Sequence, residues 1–187
     1  MVPLGALWLP ILLSAVAVFV WSSVVHMVLG YHRSDYRKLP DEDAIGAALR
    51  GASVGPGTYH LPHFPGMAEM GTPAALEKFN RGPVGIITLT KPGPPSLGPY
   101  LAQWFVYSVV VGVFAAYLAG IALAPGTPFV TVFRFVATVG LLAYGSTTAT
   151  DPIWKFGSWG TTLKHVFDGL VYGLLTGAVF AWLWPKA

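Results

Sequence analysis

Four stretches of this chain carry no charge. Residues 2–32, 92–133, 135–150 and 169–185 contain no Asp, Glu, Lys or Arg. A helix crosses a hydrocarbon core with about 20 apolar residues, so the pattern predicts four membrane spans, at residues 4–29, 100–123, 129–150 and 161–184. Polar positions return between the first two, over residues 31–98. The expected fold is an all-α membrane protein. Four transmembrane helices form one membrane domain, and a small cytoplasmic insert of short helices and a candidate two-stranded β element joins helices 1 and 2.

Local signals sharpen these boundaries. Pro10 predicts a kink or an irregular opening turn in the first span. Tyr100, Trp104, Phe105 and Tyr107 at the start of the second, and Trp182 and Trp184 at the end of the fourth, read as interfacial anchors. In the insert, Leu39-Pro40-Asp41-Glu42-Asp43 predicts a helix start, with proline in the first turn and acids at the positive end of the dipole. Arg50-Gly51 predicts its end. Pro73–Asn80 suits a second short helix. Val84–Thr90 has strand composition, with Thr58–Leu61 as its nearest partner. These pieces are too small for a core of their own.

Composition agrees with a bilayer as solvent. The 187 residues are 54% hydrophobic and 10% charged, against roughly 25% charged in soluble domains. Cysteine is absent, which removes disulfides, thiolate metal sites and cysteine nucleophiles together. The first apolar run has no basic residue before it and exceeds the roughly 7–15 residues of a signal core, so it is read as a retained span.

Charge then orients the spans. Arg33, Arg37, Lys38, Arg50, Lys78, Arg81 and Lys91 lie between spans 1 and 2, and Lys155 and Lys164 on the same side between spans 3 and 4. Only Lys186 lies opposite. Basic residues accumulate in the cytoplasm, so residues 31–98 are expected there and both termini outside, in the cytoplasmic membrane. Arg134 falls inside span 3. Snorkelling from near the outer end explains it; an intramembrane functional charge is the alternative.

Glycine spacing predicts helix packing. Gly169, Gly173 and Gly177 in span 4, and Gly112, Ala116 and Gly120 in span 2, repeat every four residues and form smooth stripes. Such stripes let a neighbouring backbone approach closely, within the chain or in another copy or protein.

The candidate chemistry lies in the histidines. His165 and Asp168 are three apart and share one helical face. His26 lies near the same end of span 1, with His32 just beyond. If spans 1 and 4 touch, His26, His165 and Asp168 form one layer that either contacts a haem, a quinone or a proton path, or merely fixes helix register. His60 and His63 flank Leu61-Pro62 and make a weaker metal pair, because zinc normally takes three or four protein ligands. No phosphate loop, HExxH, GxSxG or dinucleotide fingerprint is present, and no basic stripe suggests a nucleic-acid partner.

The order of a first span, YHRSDYRKLPDEDAIGAALR at 31–50, PGTYHLP at 56–62, RGPVG at 81–85 and four spans in all resembles a group of small bacterial membrane proteins without assigned function. The resemblance covers nearly the whole chain. It implies a bacterial cytoplasmic membrane and no catalytic residues, with structural roles for Tyr59, Gly82 and Pro83. The expected function is therefore a non-enzymatic structural or accessory subunit that packs in the bilayer with a protein partner or its own copies. The alternatives are a redox-linked, haem- or quinone-contacting component using His26, His165 and Asp168, and an oligomeric carrier or channel with Arg134 and Asp168 along its path. The sequence names no cofactor.

Overall fold

The computed structural model describes residues 1–187, which divide into two compact units. The first holds residues 1–35, 96–152 and 157–187; the second holds residues 36–95 and 153–156. Four helical segments are long and apolar enough to cross a membrane: Leu4–Leu29, Leu97–Ala122, Phe129–Trp154 and Trp159–Trp182.

The first segment is built from three kinds of turn. A 3-10 turn, Leu4–Leu7, leads into α1 (Trp8–Ser23), and a π-helical stretch, Val24–Leu29, ends it. Pro10 lies in the first turn of α1, where an N–H would have no helical acceptor. The irregularity it predicts is the 3-10 turn just before. At the other end Gly30 adopts φ +65°, a conformation glycine reaches without a Cβ penalty. It turns the chain into a second 3-10 turn, Tyr31–Ser34.

The second unit follows. Asp41 caps α2 (Glu42–Gly51), its Oδ1 accepting from the Ala44 N–H at 3.0 Å. The first-turn position predicted for Pro40 is thus corrected: Pro40 precedes the cap, because the carboxylate satisfies an otherwise unpaired N–H. Strand β1 (Gly57–Leu61) is followed by α3 (Met67–Met70) and α4 (Pro73–Arg81), with Thr72 capping the latter. Strand β2 (Gly85–Leu89) pairs antiparallel with β1, with Gly57 opposite Leu89 and Leu61 opposite Gly85. Ala75 is the only buried hydrophobic residue of this unit, so its core is thin.

The chain returns to the first unit in α5 (Leu97–Ala122) and α6 (Phe129–Tyr144). The third span does not run on as one α-helix to residue 150. It breaks at Gly145 into a 3-10 turn, Ser146–Ala149, before the short α7 (Thr150–Trp154); α8 (Trp159–Trp182) is the last helix. α6 and α8 meet backbone to backbone. A Cβ on Gly140 would lie 2.7 Å from Gly173 Cα, and one on Gly177 would lie 2.8 Å from the Phe133 carbonyl. Gly169 meets Gly145 in the same way. On α5, Gly112 faces Ile11 and Gly120 faces Val2, whose N–H donates to the Gly120 carbonyl at 2.9 Å. Ala116 is fully buried beside them. Leu7, Ile11, Ala115, Ala119, Val132, Val136 and Phe180 fill the core between these helices. Val106, Val110, Phe114, Leu118 and Ile121 are exposed on α5, which suits a hydrocarbon surround and not water.

Both ends of this unit are defined. At one, the Gly126 N–H donates to the Pro185 carbonyl at 2.8 Å, and Trp184 Nε1 donates to the Ala124 carbonyl at 3.0 Å. That end gathers both termini and the 123–128 turn. The other end holds the histidines.

Candidate metal site

Asp168 is the centre of the site. It sits on α8 and is only 3% exposed. A buried carboxylate must be paired or hydrogen-bonded, and this one is both. The Tyr31 hydroxyl donates to Oδ1, and His32 Nε2 lies 2.8 Å from Oδ2. His165, one turn earlier on the same face, brings Nδ1 to 4.0 Å from Oδ2. The turn after Gly30 supplies Tyr31 and His32, and the π-helical stretch supplies His26. A π turn is wider than an α turn and occurs often at functional sites.

The three imidazoles stack. His26 lies on His32 with centroids 4.4 Å apart and planes within 6°, and His165 lies 5.0 Å from His32 at 22°. One ligand atom from each of His26, His32, His165 and Asp168 falls within 4.8 Å of all the others. Tetrahedral zinc with bonds of about 2.1 Å needs donors roughly 3.4 Å apart. The set is therefore near chelating distance. Near-parallel rings do not aim their lone pairs at one point, so holding an ion requires the rings to turn.

A second ring of contacts orients these groups. His26 Nδ1 lies 3.0 Å from the Ser22 carbonyl and must donate to it, which leaves Nε2 with the lone pair. His32 Nδ1 lies 2.5 Å from Asp35 Oδ2. Asp35 in turn accepts from Lys164 Nζ at 2.6 Å, and the same ammonium donates to the Tyr31 carbonyl and to Ser34 Oγ, each at 2.8 Å. All three of its protons are used. A carboxylate behind a ligating imidazole is the usual outer-shell partner of a metal site. Burial works against the Asp35 charge, but the hydrogen bonds from Lys164 and His32 outweigh it and hold the carboxyl below its ordinary value. Burial first, then the bond to Asp168, pushes the Tyr31 phenol up.

Lys164→Met tests this support. Asp35 would stay buried, 4% exposed, without its cation. Breaking a fully buried pair costs about 3–5 kcal/mol; with Lys164 27% exposed, about 2 kcal/mol is expected after solvent screening. The sign with pH follows. A carboxyl held below its unfolded value adds stability above that value and loses it as pH falls through the folded one. Thermal melts in detergent should show wild type losing more stability than Lys164→Met between neutral and acid pH.

The remaining sequence candidates fall elsewhere. His60 and His63 line a cavity of about 330 Å³ in the second unit with Phe64, Met70 and Phe79, and no Asp, Glu or third histidine lines it. Arg134 is exposed on α6. By the α6–α8 register it lies roughly 16 Å along the axis from the level of Asp168, at 1.5 Å per residue. The glycine stripes lie within the chain's own helix contacts. Sequence reasoning missed Tyr31, Asp35 and Lys164. The i, i+3 spacing of His32 and Asp35, and a lysine next to His165 in an otherwise apolar helix, were the available signals.

Comparison of the chain with protein-family models, with curated proteins and with solved structures finds no match. The resemblance drawn from its motifs gains no support there.

Proposed function

We propose that this chain is a metal-binding component of a cell membrane, holding one transition-metal ion at the end of the bundle remote from its termini. The observation that carries the reading is the approach of four ligand atoms, from His26, His32, His165 and Asp168, within 4.8 Å. Three imidazoles and a carboxylate suit zinc, iron, nickel or copper(II); hard oxygen-seeking ions such as magnesium want a different set. Asp35, the Ser22 carbonyl and Tyr31 are the outer shell. They fix His32, His26 and Asp168 Oδ1, and leave Oδ2 facing the imidazoles. Binding at His32 Nε2 would replace its hydrogen bond to Asp168 and keep the one to Asp35.

Charge gives the orientation. Arg33 and Lys164 flank the site, and basic residues face the cytoplasm, so the ion is reached from the inner leaflet, both termini lie outside and the membrane is the cytoplasmic one. The accessory-subunit reading drew on the glycine stripes as surfaces for a partner. Those stripes are occupied inside the chain and give it no added weight. A path through Arg134 and Asp168 would have to join residues at different depths, one of them on the bundle's outer surface.

The test is elemental analysis of protein purified in detergent without a histidine tag, as isolated and after dialysis against zinc, iron(II), nickel or copper(II). One ion per chain is expected with at least one of them. Less than a tenth of an ion per chain with all four, in folded protein, ends the reading.

A further inference from the structure

A cavity of about 450 Å³ opens beside the cluster. It lies within the size range of small-molecule sites. Trp104, Tyr144 and Tyr172 line it together with His165 and Asp168. The three aromatic rings make a corner. Centroids are 5.8 Å apart for Trp104–Tyr172, 6.0 Å for Trp104–Tyr144 and 5.6 Å for Tyr144–Tyr172. Trp104 is fixed there by donating from Nε1 to Ser22 Oγ at 2.9 Å.

One polar atom in this corner has no partner. Tyr172 is 4% exposed, and its hydroxyl is buried without a hydrogen bond. A buried phenol normally finds one, and an unpaired donor in an apolar wall is costly. The neighbouring Tyr144 hydroxyl, by contrast, approaches the Ser108 carbonyl at 3.5 Å. The hydroxyl oxygen itself is closed off from the cavity that Tyr172 lines, so an acceptor oxygen entering there satisfies it once the Tyr172 ring tips toward the cavity.

The rim indicates where such a molecule comes from. Met27, Tyr100 and Leu101 line the cavity and are exposed, and they belong to membrane-spanning segments. An entering molecule would therefore arrive from the lipid. Aromatic faces set at 59–80° to one another, an apolar approach, an orphan donor and a histidine and an aspartate in the lining together suit a flat ring bearing carbonyl oxygens.

We infer that this cavity binds the head of a lipid-soluble quinone, with one ring carbonyl accepting from the Tyr172 hydroxyl and the ring in the corner between Trp104 and Tyr144, face-on to one and edge-on to the other. Binding does not require an ion at the histidines, although His165 and Asp168 belong to both sites. The quinone enters on the side where Met27 of the π-helical stretch and Tyr100 and Leu101 of α5 are exposed.

The experiment is calorimetric titration of decylubiquinone into detergent-solubilised full-length protein, before and after chelator treatment, with n-decylbenzene as the carbonyl-free control. Wild type should bind one quinone per chain, and bind it at least tenfold more tightly than decylbenzene. Tyr172→Phe keeps the ring and loses only the donor, so it should melt at the wild-type temperature and bind quinone about tenfold more weakly. Its affinity for decylbenzene should not change. Failure of quinone to bind either preparation overturns the inference. So does equal binding of quinone and decylbenzene, which would be partition into an apolar groove, or unchanged quinone affinity in Tyr172→Phe. Metal content is measured separately, so loss of the metal reading with quinone binding intact, or the reverse, is directly visible.

Discussion

If the histidine cluster holds an ion as proposed, Asp168→Asn protein should bind metal at least a hundredfold more weakly than wild type. Removal of an outer-shell partner alone costs about 10–100-fold, and this change removes the single anionic ligand. The asparagine keeps the shape and an oxygen for the Tyr31 hydroxyl, but it can place an amide N–H where Oδ2 faced His32. The metal-free protein should also lose about 1.5–3 kcal/mol, the worth of a charge-assisted hydrogen bond. That stability loss does not separate a metal site from a histidine–aspartate lock that sets helix register. His26→Ala does. His26 is exposed, and its hydrogen bond runs to its own helix, at Ser22. Its removal loses the stack on His32 and should cost the metal-free protein about 0.5–1.5 kcal/mol, the worth of an aromatic pair, less than Asp168→Asn, and still weaken metal binding more than tenfold. A competition assay against a chromophoric zinc chelator measures both variants, with His63→Ala as the unaffected control. If Asp168→Asn is destabilised while both it and His26→Ala bind metal as wild type does, the cluster is a register lock.

The parts of the fold that depend on solvent were legible in the sequence. A charge-free run of span length has few soluble alternatives, so four apolar helices follow from the positions of the charges. The i, i+3 relation of His165 and Asp168 was also legible, because it is internal to one helix. The nearness of His26 depended on whether the first span meets α8, which no local pattern states. Tyr31–Asp35 shows the same limit from the other side. By polarity these residues belong with the insert, yet they fold into the helical unit. Gly30 at positive φ and the π turn before it redirect the chain, and neither departure from α geometry has a strong signature in an apolar run. The aromatic corner joins residues on α5, α6 and α8. Trp104 read there as an interfacial anchor, since its partner Ser22 is far away in sequence.

Gly173→Ala should be strongly damaging, with Gly169→Ala, which meets backbone atoms still more closely, at least as severe. The stripe on α8 was visible as a four-residue repeat, but the sequence did not show that Gly140 on α6 and Gly145 just beyond its end receive it. In lipid, helices gain little by hiding apolar surface from each other, and close backbone packing carries their association. A Cβ at position 173 would lie 2.7 Å from both the Ala137 carbonyl oxygen and the Leu141 nitrogen. Both are backbone atoms, so no side chain can swing aside and the helices must separate. Overpacking usually costs about 1–3 kcal/mol, and a clash with two backbone atoms belongs at the top of that range. About 3 kcal/mol would lower the melting temperature by roughly 6–12 °C for a domain of this size. Gly112→Ala meets Ile11 Cγ2 and the Ile11 carbonyl at 3.3 Å; part of that neighbour is side chain that can yield, so about 1 kcal/mol is expected. Gly98→Ala meets nothing within 4 Å and should be neutral or gain about 0.5 kcal/mol from helix propensity. Thermal unfolding of Gly173→Ala, Gly112→Ala and Gly98→Ala in one detergent orders them. The same order should hold for metal retention at elevated temperature, because α8 carries His165 and Asp168 and α6 holds α8 in place. If Gly173→Ala melts within about 1 °C of wild type, the α6–α8 contact is looser than backbone packing allows, and the frame that positions the site must be sought in α1 and α5.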